Sequence, residues 1–290
     1  LFSCKLLSRM GKNSSGSTNL GIISDTSMYG GDEERLQVFE PVLREVSAFA
    51  PLFKKIIWLG YNQGKCVPPN TGMIDSSSIK VWLLPQSGGA DIISKFKIIF
   101  LLPLYTIQIV RIVIQSDIIH TRGPSIPALL TQLISLFFPR KTFWHKYAGN
   151  WEKTPYAFSY KLNRKLLGFN LPGIVFVNQK SELDSERIVQ VANPSFTLRE
   201  LKENIKEGSL KEFEKNISIC YVGRFDIAKG VISIINALKK INNRNYIQSF
   251  HFAGFSREKI KSDLFRLNSK LKLEFHGILN RKDLNQIYRE

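Results

Sequence analysis

Short apolar runs alternate with segments of helical periodicity along most of the chain. Runs of β-branched and aromatic residues bounded by Gly, Pro, Asn or Ser indicate buried strands. Before residue 195 they predict the strands Asn19–Ser24, Lys54–Leu59, Ile79–Leu84, Asp117–Thr121, Lys141–Tyr147, Ile174–Asn178 and Ile188–Val191. Between them, apolar spacing predicts the helices Glu33–Ala50, which Pro41 should kink or restart, Lys95–Gln115, Ile126–Phe138 and Tyr160–Leu167. Strands that alternate with helices predict an α/β fold with a parallel sheet.

The pattern starts again after a highly charged stretch. It predicts the strands Ile217–Val222, Gln248–Ala253 and Lys272–His276, followed by the helices Val231–Ile241, Arg257–Leu267 and Arg281–Glu290. A complete doubly wound half has about six strands, so this second domain is predicted to be incomplete. The predicted division is a disordered segment 1–18, a Rossmann-like domain 19–195, a linker 196–215 and the first half of a second Rossmann-like domain 216–290.

Composition narrows the class of protein. The chain has 290 residues, of which 43% are hydrophobic, enough to fill the cores of two domains. Its formal net charge of +17 is spread over both halves. Such a charge favours nucleotides, lipid phosphates or an anionic membrane surface as partners. Nucleic acid is not predicted, because no helix-turn-helix, zinc or RNA-binding signature accompanies the charge.

The cysteines and the N-terminus bear on location. Cys4, Cys66 and Cys220 form neither a disulfide framework nor a zinc pattern, which fits a reducing cytoplasm. The first residues lack the apolar core of a signal peptide. We therefore expect a cytoplasmic protein, peripheral at the inner face of the membrane if it contacts lipid.

One predicted helix leaves two alternatives open. Lys95–Gln115 is almost wholly apolar between its flanking cations and contains Pro103. Its apolar run is short for a transmembrane helix. It is either a helix buried in the first domain or a monotopic helix that contacts a membrane.

The most informative stretch is Tyr221–Gly230, which reads YVGRFDIAKG. A buried strand ends at Gly223, and Arg224 and Lys229 come before the helix that starts at Val231. This order directs two cations and a helix N-terminus to one place, an arrangement that binds phosphate oxygens. The alternative is a strand–helix corner with two solvated cations.

The segment YVGRFDIAKGVISIINAL resembles the signature of GT-B glycosyltransferases of family four. The resemblance implies that Arg224 and Lys229, beside Gly223, hold the diphosphate of a nucleotide sugar. Gly30 and Gly31 precede an acidic helix start and resemble the glycine pair of the family's first loop. That implies close backbone approach to donor phosphate or acceptor.

Two further segments, DIIHTRGPSIPAL and FWHKYAGNW, resemble the N-terminal domain of bacterial polysaccharide-type members. Their turns follow strand carboxyl ends, where open α/β sheets bind ligands. The acceptor-cleft candidates are Arg122, Lys146, Asn150 and Trp151. The alternative is that Trp151 caps the core and Lys146 is a solvated edge residue.

The sequence departs from the family at the position of its usual histidine, which Ala148 occupies. His120 and His145 are predicted to be strand residues, so no catalytic residue is assigned. No His/Asp cluster shows metal-ligand spacing, and we expect no metal cofactor, since Arg and Lys can stabilise a leaving diphosphate.

The resemblance implies a retaining glycosyltransferase of the hexosyltransferase type. It would move a sugar from a nucleotide-sugar donor to a glycan or lipid-linked acceptor in cell-surface polysaccharide synthesis. The family's second donor signature would lie beyond Glu290, so we expect this chain alone to be inactive. The alternative is an inactive fragment that binds nucleotide or glycan. An NAD-dependent oxidoreductase is disfavoured, because SDTSMYGG, not a G-x-G-x-x-G turn, ends the first strand.

Overall fold

A computed structural model describes residues 18–30, 35–86, 92–151, 158–169, 171–182, 184–192, 197–210, 217–225, 229–240, 247–255 and 272–289. The chain divides into two compact units. The first comprises Leu1–Val67 and Gly72–Ser195, and the second comprises Phe196–Glu290 with Pro68–Thr71.

The first unit is built on one large sheet. Its strands are β1 (Asn19–Tyr29), β2 (Gln37–Phe39), β3 (Lys55–Asn62), β4 (Thr71–Met73), β5 (Ile79–Pro85), β6 (Ile118–Gly123), β7 (Thr142–Tyr147), β8 (Ile174–Val177) and β9 (Ile188–Gln190). Seven of them pair in parallel in the order β5-β3-β1-β6-β7-β8-β9. The short β2 pairs antiparallel with the end of β1, and β4 lies beside β2.

The strand order reverses at β1 and β6. From β1 the chain adds β3 and β5 on one side and then β6 to β9 on the other. This reversal makes the gap at the carboxyl ends of β1 and β6 the topological switch point, where doubly wound sheets bind ligands. The register places Ser24 beside Arg122, and Arg122 beside Lys146.

Helices cover both faces of this sheet. They are α1 (Glu40–Phe49), α2 (Ile92–Gln115), α3 (Ile126–Ser135) and α4 (Phe158–Gly168), with a 3-10 turn at Ala50–Leu52. Alternate residues of β1 point to different cores, Ile22 to the one that includes Val46 of α1 and Ile23 to the one that includes Ile109 of α2. The runs predicted as strands are therefore apolar on both faces, as parallel sheets require.

The predicted helix Glu33–Ala50 is wrong in its first part. Gln37–Phe39 is a strand, because it pairs with the end of β1, and the helix begins at Glu40. Pro41 lies in the first turn, where no intrahelical N–H bond is lost. The predicted kink or restart at Pro41 does not occur, because the helix itself begins one residue earlier, at Glu40.

Helix α2 runs without a break through Pro103. Tyr105, Ile109, Ile112 and Val113 on one face are fully buried. Large apolar side chains on the opposite face are exposed: Ile99, Phe100, Leu104, Ile107 and Ile114. By length and composition alone, Lys97–Gln115 could cross a membrane, but the core helix of a soluble protein meets the same criteria. In the most apolar 18-residue stretch of this helix, 22% of the residues are buried.

The second unit has a parallel sheet in the order β10 (Ile217–Val222), β11 (Ile247–Ala253) and β12 (Lys272–Gly277). Its helices are α5 (Leu198–Ser209), α6 (Val231–Lys240) and α7 (Arg281–Arg289). The core contains Phe225, Val231, Phe250 and Phe252. Helix α5 lies within the predicted linker, where Thr197 and Glu200 form a capping box.

Some predicted features lie outside the described residues: the segment 1–17, Gly31 and the helix Arg257–Leu267.

Candidate functional site

Two cations at the switch point of the first unit converge on one carboxylate. Arg122 lies near the end of β6 and Lys146 near the end of β7. Arg122 Nη1 is 2.8 Å and Lys146 Nζ 2.6 Å from Glu45 Oε1, which α1 supplies. The Lys146 side chain is 7% exposed and that of Arg122 is 11% exposed. Lys146 is therefore not the solvated edge residue of the alternative interpretation, but a buried member of an ion cluster.

The charges of this cluster control the pKa of Glu45. Burial opposes ionisation of the carboxyl, but Arg122 and Lys146 outweigh it and hold the pKa at about 2. Burial and the neighbouring Arg122 lower the pKa of Lys146, and Glu45 opposes that shift. When Lys146 is protonated, two cations and one carboxylate give the cluster a net positive charge.

Asp25 follows Ser24 at the same end of β1. Burial raises the pKa of Asp25, and its own backbone and Arg122 oppose the rise. The residue nevertheless keeps an exposed surface. Burial and the charge of Asp25 both raise the pKa of Tyr160 of α4.

The two histidines of the first unit are strand residues, as predicted. Burial lowers the pKa of His120 to about 3 and that of His145 to about 4, so both rings are neutral. His145 Nδ1 lies 2.8 Å from Thr121 Oγ1, and its Nε2 lies 3.2 Å from the carbonyl oxygen of Pro172. Among the described residues, neither ring nitrogen of His120 has a hydrogen-bond partner.

Trp151 is 4% exposed and belongs to a core cluster with Tyr147 and Leu167. Its Nε1–H donates to Asp184 Oδ2 at 2.9 Å, and the Arg164 guanidinium lies 5.5 Å from the ring centroid. This environment fits the alternative in which Trp151 caps the core, and it leaves little ring surface for a sugar. Asn150, next to it, is exposed.

Gly30 lies at the far end of β1. Its φ of +132° requires glycine. Its N–H donates to the carbonyl oxygen of Gly64 at 2.9 Å. That N–H therefore already has a hydrogen-bond acceptor within the first unit.

In the second unit, the strand, the Gly-Arg pair and the helix follow one another in the predicted order, and residues 226–228 lie outside the described part of the chain. Gly223 ends β10 at φ +153°, and Gly230, at φ +79°, comes directly before α6. Arg224 and Lys229 are both exposed. The Tyr221 hydroxyl donates to the carbonyl oxygen of Arg224 at 2.8 Å. A core side chain thus holds the backbone of the turn that carries the first cation.

The loops at the carboxyl end of this sheet are tightly joined. The Gly223 N–H donates to the carbonyl oxygen of Ala253 at 2.9 Å, and the Gly254 N–H donates to that of Gly277 at 2.6 Å. A Cβ added at Gly254 would lie 2.0 Å from the carbonyl oxygen of Gly223. The Gly-Arg turn is therefore packed directly against the next strand end.

Glu45 and Asp25 were not found from the sequence. Glu45 is 101 residues from Lys146 along the chain, on the polar side of a helix with other acidic residues nearby. Only the position of Asp25 directly after the first predicted strand could have indicated it, since ligands bind at strand carboxyl ends.

Three solved structures share this architecture. Anabaena Alr3699/HepE in complex with UDP-glucose has a TM-score of 0.55 and 12% identity, over 90% of this chain and 69% of that one. A protein proposed to be a UDP-N-acetylglucosamine 2-epimerase, from Listeria monocytogenes, has a TM-score of 0.50 and 11% identity, over 93% of this chain and 72% of that one. WaaG, a glycosyltransferase involved in lipopolysaccharide biosynthesis, has a TM-score of 0.50 and 11% identity, over 92% of this chain and 72% of that one.

No protein-family profile matches the chain, and no curated protein matches it. Identities this low establish the fold alone. The fold is GT-B, as the sequence predicted.

Proposed function

We propose that the protein is a sugar-nucleotide-using enzyme, and more specifically a glycosyltransferase that moves a sugar from a nucleotide-sugar donor to a glycan or lipid-linked acceptor. The observation that carries the proposal is the turn after β10, where Arg224 and Lys229 are exposed at the start of α6. Two of the similar structures support it, one bound to UDP-glucose and the other a glycosyltransferase.

The chemistry follows from these groups. Transfer leaves negative charge on the departing diphosphate. Arg224 offers a planar fork of donors and Lys229 a point charge, and the N-terminus of α6 adds backbone N–H groups; all of these stabilise such a charge. The family resemblance extends the proposal to retention at the anomeric carbon and to cell-surface polysaccharide synthesis.

The cleft at the switch point of the first unit is proposed to bind the acceptor. Asp25 is exposed there and its pKa is raised, which makes it a better proton acceptor than an ordinary carboxylate. Arg122 and Lys146 give the cleft a positive character suited to an acceptor that carries phosphate.

Binding of UDP, measured by calorimetry on the 290-residue chain, tests the donor site. Arg224→Ala and Lys229→Ala should each weaken binding by about 1.5–3 kcal/mol, the range for a hydrogen bond to a charged group. Lys240→Ala removes the same charge at the other end of α6 and should leave affinity unchanged. Equal affinity for UDP in all variants would contradict the proposed donor site.

A second measurement separates the enzyme from a binding module. The chain is incubated with UDP-glucose or UDP-N-acetylglucosamine, and the products are followed by NMR. Transfer to an added glycan supports the glycosyltransferase, and the anomeric coupling reports retention. A change of configuration within the nucleotide sugar would indicate epimerisation, and binding without any product is the result expected if this chain alone is inactive.

We also propose peripheral contact with an anionic membrane, which would place the protein at the cytoplasmic face. The exposed side of α2 presents Phe100 and Ile107, which are 81% and 51% exposed. Lys97 and Arg111 on the same helix are exposed too. An apolar face flanked by cations is the usual composition of helices that lie in a membrane interface.

A further inference from the structure

One face of the sheet in the second unit is polar. Strand alternation directs Phe250 and Phe252 of β11, and Phe275 of β12, into the core. The residues between them point to the other face, and they are Ser249, His251, Glu274 and His276. His251 and Glu274 are register partners in the two neighbouring strands. Strand pairing therefore brings together side chains that no spacing in the sequence connects.

Three of these side chains direct donor atoms at one point. His251 Nδ1 lies 3.0 Å from His276 Nε2 and 3.5 Å from Glu274 Oε2. His276 Nε2 lies 3.8 Å from the same carboxylate oxygen. Ligands of a tetrahedral Zn²⁺ at bond lengths of about 2.0–2.1 Å lie about 3.4 Å from one another. The triangle of donor atoms has the size of one face of such a site.

The surrounding hydrogen bonds orient the ligands. His251 Nε2 lies 2.8 Å from Ser249 Oγ, which in turn lies 2.8 Å from Ser218 Oγ. If the Ser249 hydroxyl donates to Ser218, it accepts from Nε2–H, and the lone pair of His251 Nδ1 then faces the triangle. Metal-binding histidines are usually oriented in this way by a bond from the other ring nitrogen.

Glu274 is held as well. Lys272 Nζ lies 2.6 Å from its Oε1, so that Oε2 is the oxygen directed at the histidines. The carboxylate thus presents one fixed oxygen to an ion between the two rings.

We propose that His251, Glu274 and His276 form a binding site for a divalent cation of the zinc class, with three protein ligands and one position open to water. Two imidazoles and one carboxylate suit Zn²⁺, Co²⁺, Ni²⁺ and Cu²⁺ better than Mg²⁺ or Ca²⁺. His251 is buried, whereas the side chains of His276 and Glu274 are 25% and 30% exposed, so an ion can enter from solvent. The ion would link β11 to β12. This site goes beyond the proposed function and uses none of its residues.

Cobalt gives the sharpest test. The full 290-residue chain is treated with EDTA, dialysed and titrated with Co²⁺, whose visible spectrum distinguishes tetrahedral from octahedral coordination. We expect saturation at one equivalent, a tetrahedral spectrum and displacement by Zn²⁺. A thiolate charge-transfer band would instead assign the ion to a cysteine, and no saturable binding would leave the histidines as a hydrogen-bonded pair; either result overturns the proposal.

Variants locate the ion. His276→Ala and Glu274→Gln should each weaken Co²⁺ binding by at least about tenfold, and Ser249→Ala by about tenfold through loss of ligand orientation. Glu203→Gln, an exposed carboxylate on α5, is the matched control and should bind as the parent does. Because His276 is partly exposed, its replacement should leave the far-UV circular dichroism unchanged. Undiminished binding by folded His276→Ala would refute the site.

A readout independent of spectroscopy is thermal stability. Zn²⁺ that binds only the folded chain raises its unfolding temperature. The rise should occur in the parent and in Glu203→Gln, and be absent in His276→Ala. An equal rise in all three would show that the ion binds elsewhere.

Discussion

Lys146 Nζ lies 2.6 Å from Glu45 Oε1, although 101 residues separate the two along the chain. Arg122 Nη1 lies 2.8 Å from the same oxygen. One carboxylate thus ties helix α1 to the carboxyl ends of two neighbouring strands, at the switch point of the first sheet. The pairing anchors the helix to the sheet and keeps Arg122 and Lys146 together.

Replacing Glu45 by Gln should destabilise the first unit. The change leaves Arg122 and Lys146 without their counter-charge in a largely buried place, and breaking a buried pair costs about 3–5 kcal/mol. Glu45 is 24% exposed, so we expect the lower end of that range. Urea unfolding followed by circular dichroism measures the difference.

The control for this change is Glu40→Gln on the same helix. Glu40 pairs with Arg44 at 2.9 Å one turn away, and their side chains are 26% and 31% exposed. Such i,i+4 pairs contribute less than about 1 kcal/mol. Equal losses in the two variants would show that the switch-point pairing has no special weight.

The stability of the first unit should decrease as the pH falls. His120 and His145 have folded pKa values of about 3 and about 4, below the ordinary 6.5. Below pH 6.5 the unfolded chain takes up protons that the folded chain excludes, so stability falls from there towards pH 4. Glu45, with a pKa of about 2 instead of 4.5, adds a further loss between those values. Urea midpoints across this range would show both steps, and a flat profile would contradict them.

His120→Phe should remove part of the first step. The ring is 6% exposed, packs edge-to-face on Phe49, and among the described residues has no hydrogen-bond partner. A phenyl ring of similar size needs no such partner, so stability at neutral pH should be unchanged or higher. The midpoint should also depend less on pH between 6.5 and 4. A clear loss of stability at neutral pH would mean that the imidazole is hydrogen-bonded, for instance to water.

Gly254→Ala should disrupt the Gly-Arg turn after β10, where we propose that the nucleotide sugar binds. Its φ of +139° disfavours any side chain, and the new Cβ would lie 2.0 Å from the carbonyl oxygen of Gly223. UDP binding should be lost, and the second unit should be less stable. Gly208→Ala, in helix α5 with open space around it, should instead stabilise the helix by about 0.5–1 kcal/mol. Wild-type UDP affinity in Gly254→Ala would show that the close packing of these loops is dispensable.

The membrane proposal is tested by flotation with vesicles that contain phosphatidylserine. Phe100→Asp and Ile107→Asp change only exposed positions of α2 and should abolish association without unfolding the protein. Association should also weaken at high salt, since Lys97 and Arg111 contribute charge. Ile109→Asp, at a fully buried position, should unfold the first unit. Vesicle binding by Phe100→Asp equal to the parent's would exclude this face.

The sequence by itself determined the local elements. The spacing of apolar residues along the chain reflects which face of each element is buried. Most strands and helices therefore lie where that spacing predicted them. The end of β10 before Gly223 and the start of α6 at Val231 were also predicted, because strand, glycine and helix follow one another closely in the sequence. The prediction missed Gln37–Phe39 as a strand, since its pairing with the end of β1 is a non-local contact.

Only the tertiary structure decided which distant side chains meet. Strand order and the packing of α1 bring Glu45 to Lys146, and the register of β11 with β12 brings His251 to Glu274. The same packing buries Trp151, whose Nε1–H donates to Asp184 Oδ2. Periodicity specifies which face of an element is buried but not which element lies against that face, because many pairings bury the same apolar area. Chemistry that depends on such pairings is therefore visible only in the folded chain.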